Sequence, residues 1–366
     1  MAKEQKIIGL SPDLIIHPGE TLAEILEDRD MSQKELAVRT GMTEKHISTV
    51  VKGQKSISVA FAKKLEYALG IDASFWINLQ ANYDRELLEF EEVNNITDEE
   101  LAILKPLKQV MEYMIAKKWL EENTNEAEKI LCLRKILAVS NLTAIPNITY
   151  NAAYRAQVAT NVNVDIYVLY AWQRICELRT KNIMVSDNLN LSLLKSYVPE
   201  IKKLMFEDIN IVQGKLETIF AKCGIGFKIV KHFQGAPVQG FIKKTDDEKL
   251  ILCMTIRKGR ADIFWFTLFH EVGHILNGDI KQKFIDFDST QSDMEAKADA
   301  FARDALIDFY EYKKFVKQKD YSLGAIEVFA TKQGVKSYIV IGRLQSDKIL
   351  GWDQYSNRID TYKWAE

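Results

Sequence analysis

The sequence predicts a multidomain chain: an all-α domain over residues 1–95, a helical connector over 96–195, and an α+β domain with a small antiparallel sheet over 196–366. Three observations predict it. With only 6 Pro and 17 Gly in the whole chain, the first two hundred residues read as nearly continuous helix punctuated by short turns. At Cys223-Gly224-Ile225-Gly226 the helical pattern stops and short apolar or alternating segments follow. From Asp262 the 3.6-residue pattern returns, in a stretch that carries two histidines four residues apart.

Composition sets outer limits. Apolar residues at 47% and charged residues at 27% are ordinary for globular protein and argue against disorder. The net charge of −2 means that any nucleic-acid surface must be local. No apolar run reaches the roughly 18–20 residues of a membrane span, and Met-Ala-Lys-Glu-Gln-Lys leads into only a short apolar stretch, unlike a secretory signal. Cys132, Cys176, Cys223 and Cys253 form no CxxC pair and read as reduced thiols. The expected location is the cytoplasm.

In the first region, residues 19–83 hold five amphipathic segments joined by very short turns. Ser32 caps the second, with Leu36 and Ala37 on its inner face and Glu35 at the capping-box position. Gly41 supplies the left-handed residue that a short interhelical turn needs. Thr43 caps the next helix, whose Ile47 and Val50 face inward while Glu44, Lys45, His46, Ser48 and Thr49 face out, and Gly53 ends it. Two such helices, with small Ala37 at their crossing, have the form of a helix-turn-helix.

Charge agrees with that form. Residues 31–65 hold seven basic side chains against two acidic, whereas residues 10–30 hold six acids against Arg29 alone. One face suits phosphates and the opposite face avoids them. Ser32 and Gln33 are expected to anchor the DNA backbone, with Thr43, Glu44, Lys45, His46, Thr49 and Lys52 approaching the groove.

Residues 14–85 resemble the HigA-type antitoxin family, related to XRE-like regulators. The matching stretches are His17-Pro18-Gly19-Glu20, Ser32 to Ala37, Ile47 to Val50, Ala68-Leu69-Gly70 and Phe75 to Tyr83. The resemblance implies a homodimer that binds double-stranded operator DNA, and commonly a partner toxin of the ribosome-dependent RNase kind.

The connector is rich in Lys, Leu and Glu, then carries Tyr154-Arg155 and Trp172-Gln173-Arg174. A packed helical link is the expected role, with a peptide or regulatory contact at Tyr154, Arg155, Trp172 and Arg174 as the alternative. Beyond it, Phe227–Phe233, Val238–Ile242 and Leu250–Ile256 are the expected strands, the last two joined by the turn-like Lys243–Asp247.

The returning helix carries His270-Glu271-Val272-Gly273-His274. Two histidines four apart share one helix face, at the separation one zinc ion needs. Glu271 beside them can take a proton from water at the metal. The preceding Phe264-Trp265-Phe266-Thr267-Leu268-Phe269 buries this helix, and neighbouring buried imidazoles require a partner. A catalytic zinc also needs a third protein ligand. Asp279, Asp286, Asp288, Asp293 and Glu295 are candidates; Glu295 is preferred because it begins an alanine-rich helix that can pack closely, and Asp293 is second. Asp299, one turn after Glu295, can hold a ligand imidazole's other N–H.

Residues 210–346 resemble the zincin-like ImmA/IrrE metallopeptidases, through Phe264–Gly278, Ala298 to Ala302 with Leu306-Ile307, and Ile339 to Gln345. The resemblance implies His270, His274 and Glu295 as zinc ligands, Glu271 as catalytic base, and a helix-turn-helix repressor as peptide substrate. Many members carry a second acid where this chain has Lys297. Arg343, His232 and Tyr310 are open candidates for oxyanion donor. The expected whole is a DNA-binding regulator with a narrow zinc endopeptidase; the alternative is a toxin-binding antitoxin whose peptidase domain is an inactive scaffold.

Overall fold

The computed structural model describes residues 15–149, 164–245, 248–279 and 290–364. Tyr154, Arg155, Asp286 and Asp288 therefore lie outside the described residues. The chain divides into two compact units, Met1–Asp98 and Glu99–Glu366, and the stretch read as a connector folds with the C-terminal half.

The N-terminal unit contains α1 (Pro18–Asp28), α2 (Gln33–Thr40), α3 (Glu44–Val51), α4 (Val59–Leu69) and α5 (Ala73–Asn94). Each starts on a polar cap: His17, Ser32, Thr43, Ser58 and Asp72 all accept a first-turn amide hydrogen. Gly41 ends α2 at φ 62°, the left-handed turn expected from its type. Leu22, Leu36, Ile47, Val50, Leu65 and Trp76 are fully buried where the helices meet. Helix α1 sits so close to the end of α3 that a Cβ on Gly19 would lie 1.9 Å from the Val50 carbonyl oxygen. Gln80 of α5 accepts the Ile57 amide (2.8 Å) and donates to Asp84 (2.8 Å), which fixes the loop after α3.

The second unit continues through α6 (Asp98–Ala102), α7 (Lys108–Ala116), α8 (Glu126–Leu137), α9 (Ile145–Thr149), α10 (Ile166–Thr180), α11 (Leu191–Lys203) and α12 (Ile209–Lys222). Fully buried Glu100 receives both Arg134 nitrogens (2.9 and 2.6 Å) and the Leu142 amide (2.9 Å). A carboxylate so enclosed needs those partners, and they bind three segments together. Trp172 is fully buried, donating to the Lys231 carbonyl (3.1 Å), and Arg174 is paired with Glu177. Both side chains pack within the second unit.

Strands β1 (Ile225–Ile229), β2 (Gly240–Lys244) and β3 (Leu250–Met254) form one sheet in the order β1-β3-β2. The expected antiparallel sheet is mixed instead: β3 pairs antiparallel with β2 (Ile242 opposite Leu252) and parallel with β1 (Phe227 opposite Leu252). The cause lies in β3, which is buried at all five positions and so takes the centre, where both faces are covered. Strand β2, with three half-buried residues, takes an edge.

After the sheet come α13 (Ala261–Asn277), α14 (Thr290–Leu306), α15 (Phe309–Gln318), α16 (Leu323–Gln333) and α17 (Ser337–Ser346). Small residues let α14 lie directly on α13: a Cβ on Gly273 would be 3.1 Å from Ala298 Cα, and Ala298 and Ala302 are fully buried. Residues 360–362 close over the start of α13, where Trp265 Nε1 donates to Tyr362 Oη (2.9 Å) and the Ala261 amide donates to the Asp360 carbonyl (2.9 Å). Among the described residues no helix is long and apolar enough to cross a membrane.

Candidate functional site

In the N-terminal unit, most of the residues expected to face DNA are exposed on or beside α2 and α3. Ser32 and Thr43 are exposed caps, their hydroxyls accepting the Glu35 amide (3.1 Å) and the His46 amide (3.2 Å). The capping box at α2 is half formed, because the Glu35 carboxylate turns to Arg39 (2.6 Å). Gln33, Glu44, Lys45 and Lys52 are exposed, the first three in the opening turns of their helices. Thr49 is half-buried and donates to the His46 carbonyl (2.8 Å).

The partly exposed His46 ring stands edge-on to Phe61, 4.9 Å between centroids, and its Nδ1 lies 3.1 Å from Lys55 Nζ. Burial, then the nearby Lys55 and Lys64, lower its pKa, so the neutral ring accepts from Lys55. The ring thus packs α3 onto α4. Gln54 and Ser56 are also exposed just past α3.

In the second unit, α13 and α14 bring His270, His274 and Glu295 together, with one ligand atom of each lying within 4.8 Å of the others. The two Nε2 atoms are 3.0 Å apart, and the Glu295 carboxylate lies 3.1 Å from the first and 3.6 Å from the second. His270 Nδ1 meets Asp299 at 2.8 Å, as the sequence suggested, and His274 Nδ1 meets Asp279 at 2.8 Å. Carboxylates at both Nδ1 atoms fix an N–H there and leave the two Nε2 atoms to face Glu295. Three potential ligand atoms this close call for a proton or a cation among them.

The electrostatics express the same demand. Burial opposes a charged ring at His270, but hydrogen bonds to Asp299 and Glu295 outweigh it and carry its pKa up to about 10. His274 is raised against burial by Glu295 and Asp279. Glu295 is held down to about 2 by His270 and His274. The donor set suits zinc: tetrahedral ligands at about 2.0–2.2 Å stand roughly 3.4 Å apart, close to the observed spacings, and three protein ligands leave a fourth position open.

Glu271 is 2% exposed and packs under the start of β2, where a Cβ on Gly240 would fall 2.3 Å from its Oε1. Asp293 and Lys297 are both exposed on α14, off the cluster that Glu295 joins. Of the residues considered as oxyanion donors, Tyr310 is 72% exposed, Arg343 is held by Asp347 (3.0 Å), and His232 is lowered in pKa by burial and then by Arg257. Asp279 was considered only as a ligand; its place as the partner of His274 follows from Gly278, which turns the chain back at φ 78°.

Two short capped helices, a left-handed glycine turn and an exposed polar face define the N-terminal unit as a helix-turn-helix DNA-binding domain. Residues 22–76 match the family model described as helix-turn-helix, and the chain belongs to that family through this unit. Virulence-associated protein I of Dichelobacter nodosus is 35% identical over 75 residues, which is 20% of this chain and 69% of the relative. An addiction module antidote protein of the HigA family from Coxiella burnetii is 32% identical, over 22% of this chain and 95% of its own, with a TM-score of 0.21. A protein described as the antidote of a plasmid maintenance system in Nostoc punctiforme is 36% identical, over 22% of this chain and 97% of its own, with a TM-score of 0.20.

Proposed function

We propose that this chain is a transcriptional regulator that binds operator DNA as a homodimer and carries a zinc-dependent endopeptidase of narrow specificity, controlling its own or a partner operon by limited proteolysis. The convergence of His270, His274 and Glu295 carries the enzymatic part of the reading. The resemblance of residues 210–346 to the ImmA/IrrE metallopeptidases supports it.

Zinc at this cluster would supply a Lewis acid that polarises a peptide carbonyl and acidifies water. The chain's own residues do the rest. His270 and His274 present Nε2, their rings held in place by Asp299 and Asp279. Glu271, within the same turn of α13, takes the proton of the attacking water and returns it to the leaving amine. In the N-terminal unit, Ser32, Gln33, Lys45 and Lys52 contact phosphates while Thr43 and Glu44 reach toward base edges.

In a second reading the chain represses its operon and neutralises a toxin protein, with the C-terminal unit as scaffold; the resemblance of residues 14–85 to the HigA-type antitoxins is what supports it. Co-expression with the proteins encoded beside it separates the two. Under the first reading a neighbouring repressor is cut by wild type and left whole by Glu271→Gln, with operator binding equal in both. A zinc-loaded wild type that cuts none of them and captures a toxin-sized partner would support the second.

A further inference from the structure

A cavity of about 230 Å³ opens in the C-terminal unit between α13, α14 and α17. Its apolar wall comes from Ile263 and Phe266 of α13, Leu306 of α14 and Ile339 of α17, while the Trp352 indole, 61% exposed, lines it from the side. The Phe266 ring lies 6.3 Å from that of His270, so the cavity begins one helical turn from the histidine cluster.

The charges around it are unbalanced. Asp262 lines the cavity, but the Arg260 guanidinium holds both its oxygens at 3.0 and 2.7 Å. Arg343 is engaged by Asp347 and stacks over Tyr312 at 4.7 Å. Lys258 and Arg303 also line it, and neither has a side-chain ion pair or hydrogen bond among the described residues. Two cations without counter-ions among the described residues thus border an apolar wall.

We propose that this cavity binds a carboxylate carried on an apolar body, with the body against Phe266, Leu306 and Ile339 and the carboxylate between Lys258 and Arg303. An uncompensated pair of cations selects the charge, and the wall selects the aliphatic or aromatic remainder. Two sources share that chemistry: a free organic acid, or the C-terminal residue of a peptide. The assignment rests on the lining alone and stands whether or not the neighbouring cluster holds zinc.

Calorimetric titration of the full chain with octanoate and with octanol tests it. Octanoate binds at least about tenfold more tightly, and Arg303→Gln or Lys258→Gln each removes about that factor for octanoate while leaving octanol unchanged. Ser346→Trp, which fills the cavity from its exposed rim, weakens both, with the thermal midpoint and far-UV circular dichroism as controls for folding. A short peptide ending in a free phenylalanine carboxylate that displaces octanoate, where its amide does not, assigns the peptide source; failure of both to displace it assigns the free acid. Equal affinities for octanoate and octanol, an octanoate affinity unmoved by Arg303→Gln, or no octanoate binding at all would overturn the proposal.

Discussion

His274 Nδ1 lies 2.8 Å from Oδ2 of Asp279, five residues further along the chain, and His270 repeats the arrangement with Asp299 at the same distance. Two imidazoles are thereby held in fixed orientation, with their Nε2 atoms 3.0 Å apart. Asp279→Asn or Asp299→Asn is expected to weaken zinc affinity by about 10–100-fold, since each loosens a ring that it orients. Competition with a chromophoric chelator measures this. Affinity unchanged in both variants would mean that the carboxylates do not orient the ligands.

Glu271 owes its position to the missing side chain at Gly240, where a Cβ would fall 2.3 Å from its carboxylate oxygen. Gly240→Ala should therefore displace the base and abolish cleavage of the natural substrate while zinc stays bound, matching Glu271→Gln. Paired measurements of zinc content and cleavage decide it. A variant that keeps full activity would place the proton acceptor elsewhere.

Lys45 and Lys52 are exposed on the proposed DNA-facing surface, whereas Arg39 is tied to Glu35 and Lys63 to Glu66. Lys45→Gln and Lys52→Gln should each weaken operator and random DNA alike, and each should reduce the slope of log affinity against log salt by about 1. His46→Gln should act differently, lowering stability through its contact with Phe61. Fluorescence anisotropy across a salt series gives the slopes; a slope unchanged in both lysine variants would exclude those phosphate contacts.

Close approach makes the N-terminal unit sensitive at Gly19. A Cβ 1.9 Å from the Val50 carbonyl forces α1 away from α3, at a cost of roughly 1–3 kcal/mol or more. Gly19→Ala is expected to expose the amides of α1 and α3 to hydrogen exchange and to weaken DNA binding. Wild-type protection in that variant would contradict the packing described.

A pH dependence follows from His17, whose Nδ1 accepts the Gly19 amide at 2.9 Å and must be neutral to do so. Burial lowers its pKa below the ordinary 6.5, against the pull of Asp84 and Glu20. The unfolded chain then binds more protons than the folded one. The stability that His17 contributes is complete above about pH 6.5 and is lost as the pH falls from there through the lowered folded value. Hydrogen exchange over α1 should accelerate between pH 7.5 and 5.5 in wild type and change less in His17→Asn, once corrected for intrinsic exchange. Equal changes would remove His17 as the cause.

Much of this architecture was legible in the sequence. Caps at Ser32 and Thr43 and the turn at Gly41 follow local rules, and the spacing of His270 and His274 is a property of any helix. Preference for Glu295 rested on the alanines that follow it, and Ala298 does pack against Gly273. What could not be read depends on tertiary choices. The sheet became mixed because β3 is apolar throughout and sits between two edges. His46 turned inward because Phe61 of α4 offered it a face, and Asp279 found His274 through one left-handed glycine. Periodicity describes one helix at a time and carries none of this.

Elemental analysis of purified wild type beside His270→Ala and Glu295→Ala decides whether the cluster is a zinc site. Wild type should hold about one zinc per chain and both variants should lose it, as a three-ligand site requires. Wild-type protein that takes up no zinc even after reconstitution would contradict it.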